Sequence, residues 1–285
     1  MGEYRERIFV ITGANSGVGK SATRALATRG ARVVMVCRSP ERGEAALQEV
    51  RRQTGNDRLE LRVVDLAELD QVRRLGEALA GELDHLDGLI NNAGVVRAKR
   101  EITVDGFECT MATNHLAHFL LTAILLDRLE AASGRVVNVA SQAHRSGKLR
   151  RTSLEAILAG DIRYRGLQAY NDSKLANVLF SNELARRAAG RITSNALHPG
   201  VLATRIWNQN KTPASLFAAA FKPLMGSPDV GGRVVAGLAA DPQLASVSGR
   251  YFDGERQVEP APDALDRDLA GRLWELSAEL TGVAQ

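Results

Sequence analysis

Tyr170 and Lys174 stand four residues apart in Tyr170-Asn171-Asp172-Ser173-Lys174. That spacing puts two side chains on one face of a helix. An ammonium beside a phenol favours the phenolate and lowers the tyrosine pKa from about 10. A tyrosine so tuned can give or take a proton near neutral pH. An isolated Tyr-x-x-x-Lys is more often an ordinary amphipathic helix start, so the pair needs company. Ser141 follows an apolar run in Asn138-Val139-Ala140-Ser141, where a hydroxyl could hold a substrate carbonyl. Asn114 lies in Thr113-Asn114-His115-Leu116-Ala117-His118-Phe119, and His198-Pro199-Gly200-Val201 closes a later apolar run.

A second cluster suits a phosphate. Thr12-Gly13-Ala14-Asn15-Ser16-Gly17-Val18-Gly19-Lys20 follows a strand-like run and precedes a helical pattern. Gly13 allows the tight turn, while Gly17 and Gly19 let a pyrophosphate approach the backbone and let the helix pack on a sheet. Free N–H groups at the helix start would face the negative ligand, with Asn15 and Ser16 as further donors. Lys20 directly follows Gly19, so the spacing is not that of a Walker A motif.

The second strand ends in Cys37-Arg38-Ser39. In a dinucleotide fold an acidic residue there would bind the ribose 2′-hydroxyl of NAD, and an arginine favours the 2′-phosphate of NADP. Arg38 therefore predicts NADP(H). Asp65, before Leu66, suits either adenine-amino recognition or a helix cap. Asn91-Asn92-Ala93-Gly94 ends the fourth strand, where small residues let the chain lie close to a cofactor. His198-Pro199-Gly200-Val201 would shape the nicotinamide pocket.

These residues need a frame. Near-continuous apolar runs at Ile8–Thr12, Arg32–Cys37, Leu59–Val64, Leu86–Ile90, Gly134–Ala140, Arg191–Leu197 and near Gly249–Phe252 alternate with helical patterns. The helices are expected over Gly17–Arg29, Pro40–Gln53, Leu69–Ala80, Gly106–Glu130, Gln168–Ala189, Pro228–Ala240 and Leu265–Leu280. Such alternation predicts an α/β fold: one Rossmann-type doubly wound domain over residues 1–285, with a parallel sheet of about seven strands. No repeat or linker divides it.

Composition narrows the function classes. Hydrophobic residues make up 45% of the 285, ordinary for a packed globular chain rather than a disordered or fibrous one. The net charge of +4 is small, and the arginine-rich stretch Leu149–Arg165 lacks a stacking pattern, so it reads as a solvated loop and no nucleic-acid partner is expected. No apolar run approaches the length of a transmembrane helix. Two cysteines, Cys37 and Cys109, fit a reducing compartment, and a cytoplasmic location is expected. His115 and His118 read as structural, and no metal is expected.

The combination of Thr12-Gly13, Gly17-Val18-Gly19, Asn91-Asn92-Ala93-Gly94, Asn114, Ser141, Tyr170, Lys174 and Pro199-Gly200 resembles the short-chain dehydrogenase/reductase family. Within it, Cys37-Arg38, the Asn114-to-Thr122 run, Tyr170-to-Phe180, His198-Pro199-Gly200 and the long gap from Ser141 to Tyr170 resemble the retinol-dehydrogenase-like and protochlorophyllide-reductase-like group. The resemblance implies Tyr170 as general acid/base and Lys174 as its pKa-lowering partner and ribose ligand. It implies Ser141 as orienter of the substrate oxygen and Asn114 as holder of a relay water. Thr204 joins the implied cofactor contacts. Gln142, His144 and Trp207 join Ser141 and Tyr170 as expected substrate contacts, and residues 204–228 are the expected substrate lid. Two departures stand out: Gln142 replaces a small residue, and the membrane anchor of many animal members is not seen in this sequence.

The expected activity is NADP(H)-dependent interconversion of a ketone or aldehyde and an alcohol on an apolar small molecule. The alternatives are an NADP(H)-binding sensor or scaffold without turnover, and an isomerase or dehydratase on the same fold. Assembly into a homo-oligomer is left open.

Overall fold

The computed structural model describes residues 2–200 and 227–283. Among the described residues eight strands form one sheet: β1 Ile8–Thr12, β2 Arg32–Cys37, β3 Leu59–Val63, β4 Gly88–Asn91, β5 Arg135–Val139, β6 Thr193–His198, β7 Tyr251–Asp253 and β8 Arg256–Val258. Their order is β3-β2-β1-β4-β5-β6-β7-β8, parallel throughout except for the antiparallel β7–β8 edge. The edge strand β8 takes the sheet one beyond the expected seven. Its Arg-Gln-Val sequence is largely exposed and carries no apolar run to betray it.

Helices cover both faces, as parallel strands require. They are α1 Gly17–Thr28, α2 Pro40–Thr54, α3 Leu69–Glu82, α4 Cys109–Met111, α5 Ala117–Ile124, α6 Leu126–Ala131, α7 Leu154–Leu158, α8 Gly166–Ala188, α9 Pro228–Ala240 and α10 Arg267–Thr281. Strand residues alternate between two cores. Phe9 and Ile11 face α1, α2 and α9, whereas Ile8 and Val10 face α3, α5, α8 and α10. All five residues of β1 are therefore buried, which explains its unbroken apolar run. Local chemistry sets the helix ends: Pro40 opens α2 under a Ser39 cap, and Gly55 closes it at φ 65°.

The expected helix over Gly106–Glu130 is broken. Between α4 and α5, Ala112–Leu116 form a π-helical segment, in which the Ala117 N–H reaches back to the Ala112 carbonyl. Such a bulge adds one residue to a turn and is common at functional sites. The stretch 149–165 also departs from a solvated loop: Leu149, Leu154, Ile157 and Leu158 are buried, and α7 lies within it. Among the described residues no helix is long and apolar enough to cross a membrane.

The strand order reverses between β1 and β4. In open α/β sheets the crevice for ligands opens there, outside the carboxyl ends of the strands.

Candidate functional site

One cavity of about 480 Å³ runs across the carboxyl ends of the strands. At one end lie Arg38, Ser39, Arg42, Asp65 and Leu66. At the other lie Ser141, Gln142, Tyr170, Lys174, Pro199 and Gly200. Gly13, Asn15, Ser16, Gly17, Val18, Ala93 and Gly94 line the middle.

The middle is shaped by close backbone approach. Gly13 has φ 66°, in the left-handed region. A Cβ on Gly19 would lie 2.5 Å from both the Gly13 carbonyl oxygen and Asn92 Nδ2. Gly19 therefore acts by packing from behind and does not line the cavity itself. Among the described residues no side chain, Ser16 included, caps the start of α1. Its first-turn N–H groups are thus left without a side-chain acceptor, the arrangement that suits a pyrophosphate. Lys20 lies outside this cradle, paired with Glu49 at 2.8 Å.

At the adenosine end, Arg38 sits 3.8 Å from Asp65 and is half exposed. Asp65 accepts from the Ala67 N–H at 3.0 Å, so it shapes the turn before α3 while also lining the cavity. Arg42, not foreseen from the sequence, lines the same end from the first turn of α2.

At the other end, Lys174 is fully buried and donates to the Val139 carbonyl at 2.8 Å. Burial pulls its pKa down to about 8. Its ammonium lies 5.6 Å from the centre of the Tyr170 ring. Burial pushes the Tyr170 phenol up, and a hydrogen bond with the Ser141 hydroxyl pulls it down. Burial outweighs that bond, so the phenol lies above its ordinary value in this state, where a lowered one was expected. Ser141 also accepts from the Ala143 N–H at 3.2 Å, opening a 3₁₀ turn over Gln142–Ser146.

Besides Gly19, three expected site residues stand back from the cavity. Asn91 turns into the core, where Nδ2 donates to Asn138 at 3.0 Å and Thr122 at 3.1 Å. Asn92, the next residue, faces the cavity instead. His144 is fully buried, with Nδ1 at 2.7 Å from the Ser141 carbonyl and Nε2 accepting from the Ala261 N–H at 3.0 Å. Both ring nitrogens are therefore engaged behind Ser141, away from a substrate. Asn114, in the π segment, accepts from the Val95 N–H at 2.8 Å and donates to the Val95 carbonyl and to Ser173 Oγ. Its amide thus makes three bonds to protein partners. Val95, which Asn114 holds, does line the cavity. Val201, Thr204 and Trp207 lie outside the described residues, as does the expected lid save for Ser227 and Pro228, which open α9.

Comparisons agree with this geometry. The family model for short chain dehydrogenases matches residues 7–153. Human retinol dehydrogenase 13 is 42% identical, over 97% of this chain and 85% of that protein. Mouse retinol dehydrogenase 12 is 41% identical, over 97% of this chain and 87% of that protein. Among solved structures, an uncharacterised protein from Mycobacterium paratuberculosis is 35% identical with a TM-score of 0.78, covering 99% of this chain and 96% of that one. The Pseudomonas aeruginosa RhlG/NADP active-site complex is 25% identical with a TM-score of 0.68, covering 88% and 95%. A cleft with a glycine cradle, a Ser–Tyr–Lys end and these relatives lead to one assignment: the chain is an oxidoreductase belonging to the short-chain dehydrogenase/reductase family.

Proposed function

We propose that this oxidoreductase uses NADP(H) to interconvert a ketone or aldehyde and the corresponding alcohol on an apolar small molecule. One observation carries the proposal: a single cavity joins two guanidinium groups, Arg38 and Arg42, to the Ser141–Tyr170–Lys174 end. The names of the retinol dehydrogenases among the relatives support an apolar alcohol or aldehyde as substrate. Two buried, unpaired cysteines support a cytoplasmic site of action.

NADP(H), when bound, would supply or accept the hydride. The residues of the chain do the rest. Arg38 and Arg42, with the Ser39 hydroxyl, hold the 2′-phosphate by charge-assisted hydrogen bonds. The turn from Gly13 to Val18 seats the pyrophosphate on the start of α1. Lys174 binds the nicotinamide ribose, and Pro199 and Gly200 bound the ring. Ser141 donates to the substrate oxygen and fixes it beside Tyr170. In reduction the Tyr170 hydroxyl donates its proton to that oxygen, and in oxidation the phenolate takes it back. Lys174, buried with no acidic partner among the described residues, favours the phenolate electrostatically in that second step.

The test follows NADPH absorbance across a panel of carbonyls that includes all-trans-retinal. Consumption matched by alcohol formation is expected. Tight NADPH binding with no consumption would favour a sensor, and product formation without net consumption would favour an isomerase or dehydratase.

A further inference from the structure

His118 is two residues into α5 and fully buried, yet it touches both halves of the site. Its Nδ1 lies 3.0 Å from the Asn114 carbonyl oxygen and its Nε2 lies 2.9 Å from Thr12 Oγ1. A carbonyl can only accept, so Nδ1 carries the proton. Burial disfavours the imidazolium, so Nε2 is a bare acceptor. The Thr12 hydroxyl then donates to it at 2.9 Å, in preference to the Ile90 carbonyl at 3.4 Å. The two acceptor positions on that hydroxyl are already filled, by the Asn92 and Ala93 N–H groups at 2.9 Å each. The shortest contacts from Asn114 to Ala93 thus set a consistent donor and acceptor order, and the bonds reinforce one another.

The two ends matter differently. Thr12, Asn92 and Ala93 form the floor under the glycine turn, where Asn92 Nδ2 also donates to the Thr12 carbonyl at 2.7 Å. Asn114 belongs to the π segment, and its side chain carries Val95 and Ser173, the residue before Lys174. We propose that His118 is a positioning residue that couples the cofactor floor to the π-helical wall of the catalytic end. It touches neither substrate nor cofactor. The inference rests on the proposed oxidoreductase reading for its effect on turnover, but not for its tautomer or its effect on NADPH binding.

The first measurement is imidazole ¹⁵N NMR of the full chain with NADPH bound. A His118 ring protonated on Nδ1 alone is expected, and a proton on Nε2 would overturn the proposal. The second separates the two links. His118→Asn keeps a donor for the Asn114 carbonyl and withdraws the acceptor from Thr12, so the NADPH Kd should rise about tenfold. His118→Gln can still accept from Thr12 but loses the Asn114 link. Its Kd should stay within about threefold while kcat for all-trans-retinal falls about tenfold. Equal losses of Kd and kcat in both variants, or no change in either, would reduce His118 to core packing and overturn the coupling. Tyr170→Phe serves as the control: turnover retained there would sink the oxidoreductase reading, while the NMR and Kd results still decide the role of His118.

Discussion

The Lys174 ammonium donates to the Val139 carbonyl at 2.8 Å, tying the middle of α8 to the carboxyl end of β5. The ammonium is completely buried there, and its pKa falls to about 8 from 10.5 through burial alone. A lysine whose folded pKa lies below its unfolded one costs stability wherever it is charged in both states. The cost is therefore full below pH 8 and fades as pH rises from about 8 to about 10.5. Without cofactor, Lys174→Met should be more stable than wild type at neutral pH, by an amount that shrinks across that window. Denaturant unfolding of both proteins at several pH values measures the difference, and a flat difference would refute the assignment.

Arg38 and Arg42 should decide the cofactor. The double change Arg38→Asp with Arg42→Ala removes two charge-assisted contacts to a 2′-phosphate, each worth about 1.5–3 kcal/mol. The ratio of kcat/KM for NADPH over NADH should fall by roughly a hundredfold or more. A wild-type enzyme that prefers NADH would defeat the NADP(H) proposal outright.

Gly19 tests the cradle without touching the ligand. Gly19→Ala would place a methyl 2.5 Å from the Gly13 carbonyl oxygen and from Asn92 Nδ2. The turn must shift, and NADPH affinity measured by calorimetry should drop at least about tenfold. An alanine variant with wild-type affinity would show that the turn is not the phosphate seat.

Asp172 lies between Tyr170 and Lys174 in sequence but serves the fold. It is fully buried, accepts from the Lys148 N–H at 2.7 Å and from Gln168 at 2.9 Å, and pairs with Arg151 at 2.5 Å. Asp172→Ala strands those donors and should cost about 3 kcal/mol, a Tm loss of roughly 5–10 °C. Thermal unfolding checks it, and an unchanged Tm would contradict the role.

Much of the fold and of the placing of Ser141, Tyr170 and Lys174 on one cavity was legible because the signals are local. Unbroken apolar runs announce parallel strands, and the spacing of Tyr170 and Lys174 survives any change in tertiary detail. What the sequence hid depends on direction. Asn91 and Asn92 are consecutive at the end of a strand, so they face opposite sides, and the spacing alone does not say which faces the cavity. His144 is near Ser141 in sequence, but its ring turns inward to meet Ala261, a contact from far down the chain. Arg42 was overlooked because its relevance comes from the first turn of α2 bringing it beside Arg38 at the cavity. The π segment escaped notice because a one-residue shift in period leaves the hydrophobic pattern of residues 109–131 nearly intact.

The central claim is that Tyr170 moves the proton while the rest of the cavity holds NADPH. The direct measurement compares wild type and Tyr170→Phe for NADPH binding and for NADPH consumption with all-trans-retinal and the other panel carbonyls. The account requires turnover to fall by at least about a hundredfold, the usual contribution of a positioned general acid. It also requires the NADPH Kd to stay within about threefold, because the hydroxyl oxygen is not the seat of the cofactor. Turnover retained in the phenylalanine variant would contradict it.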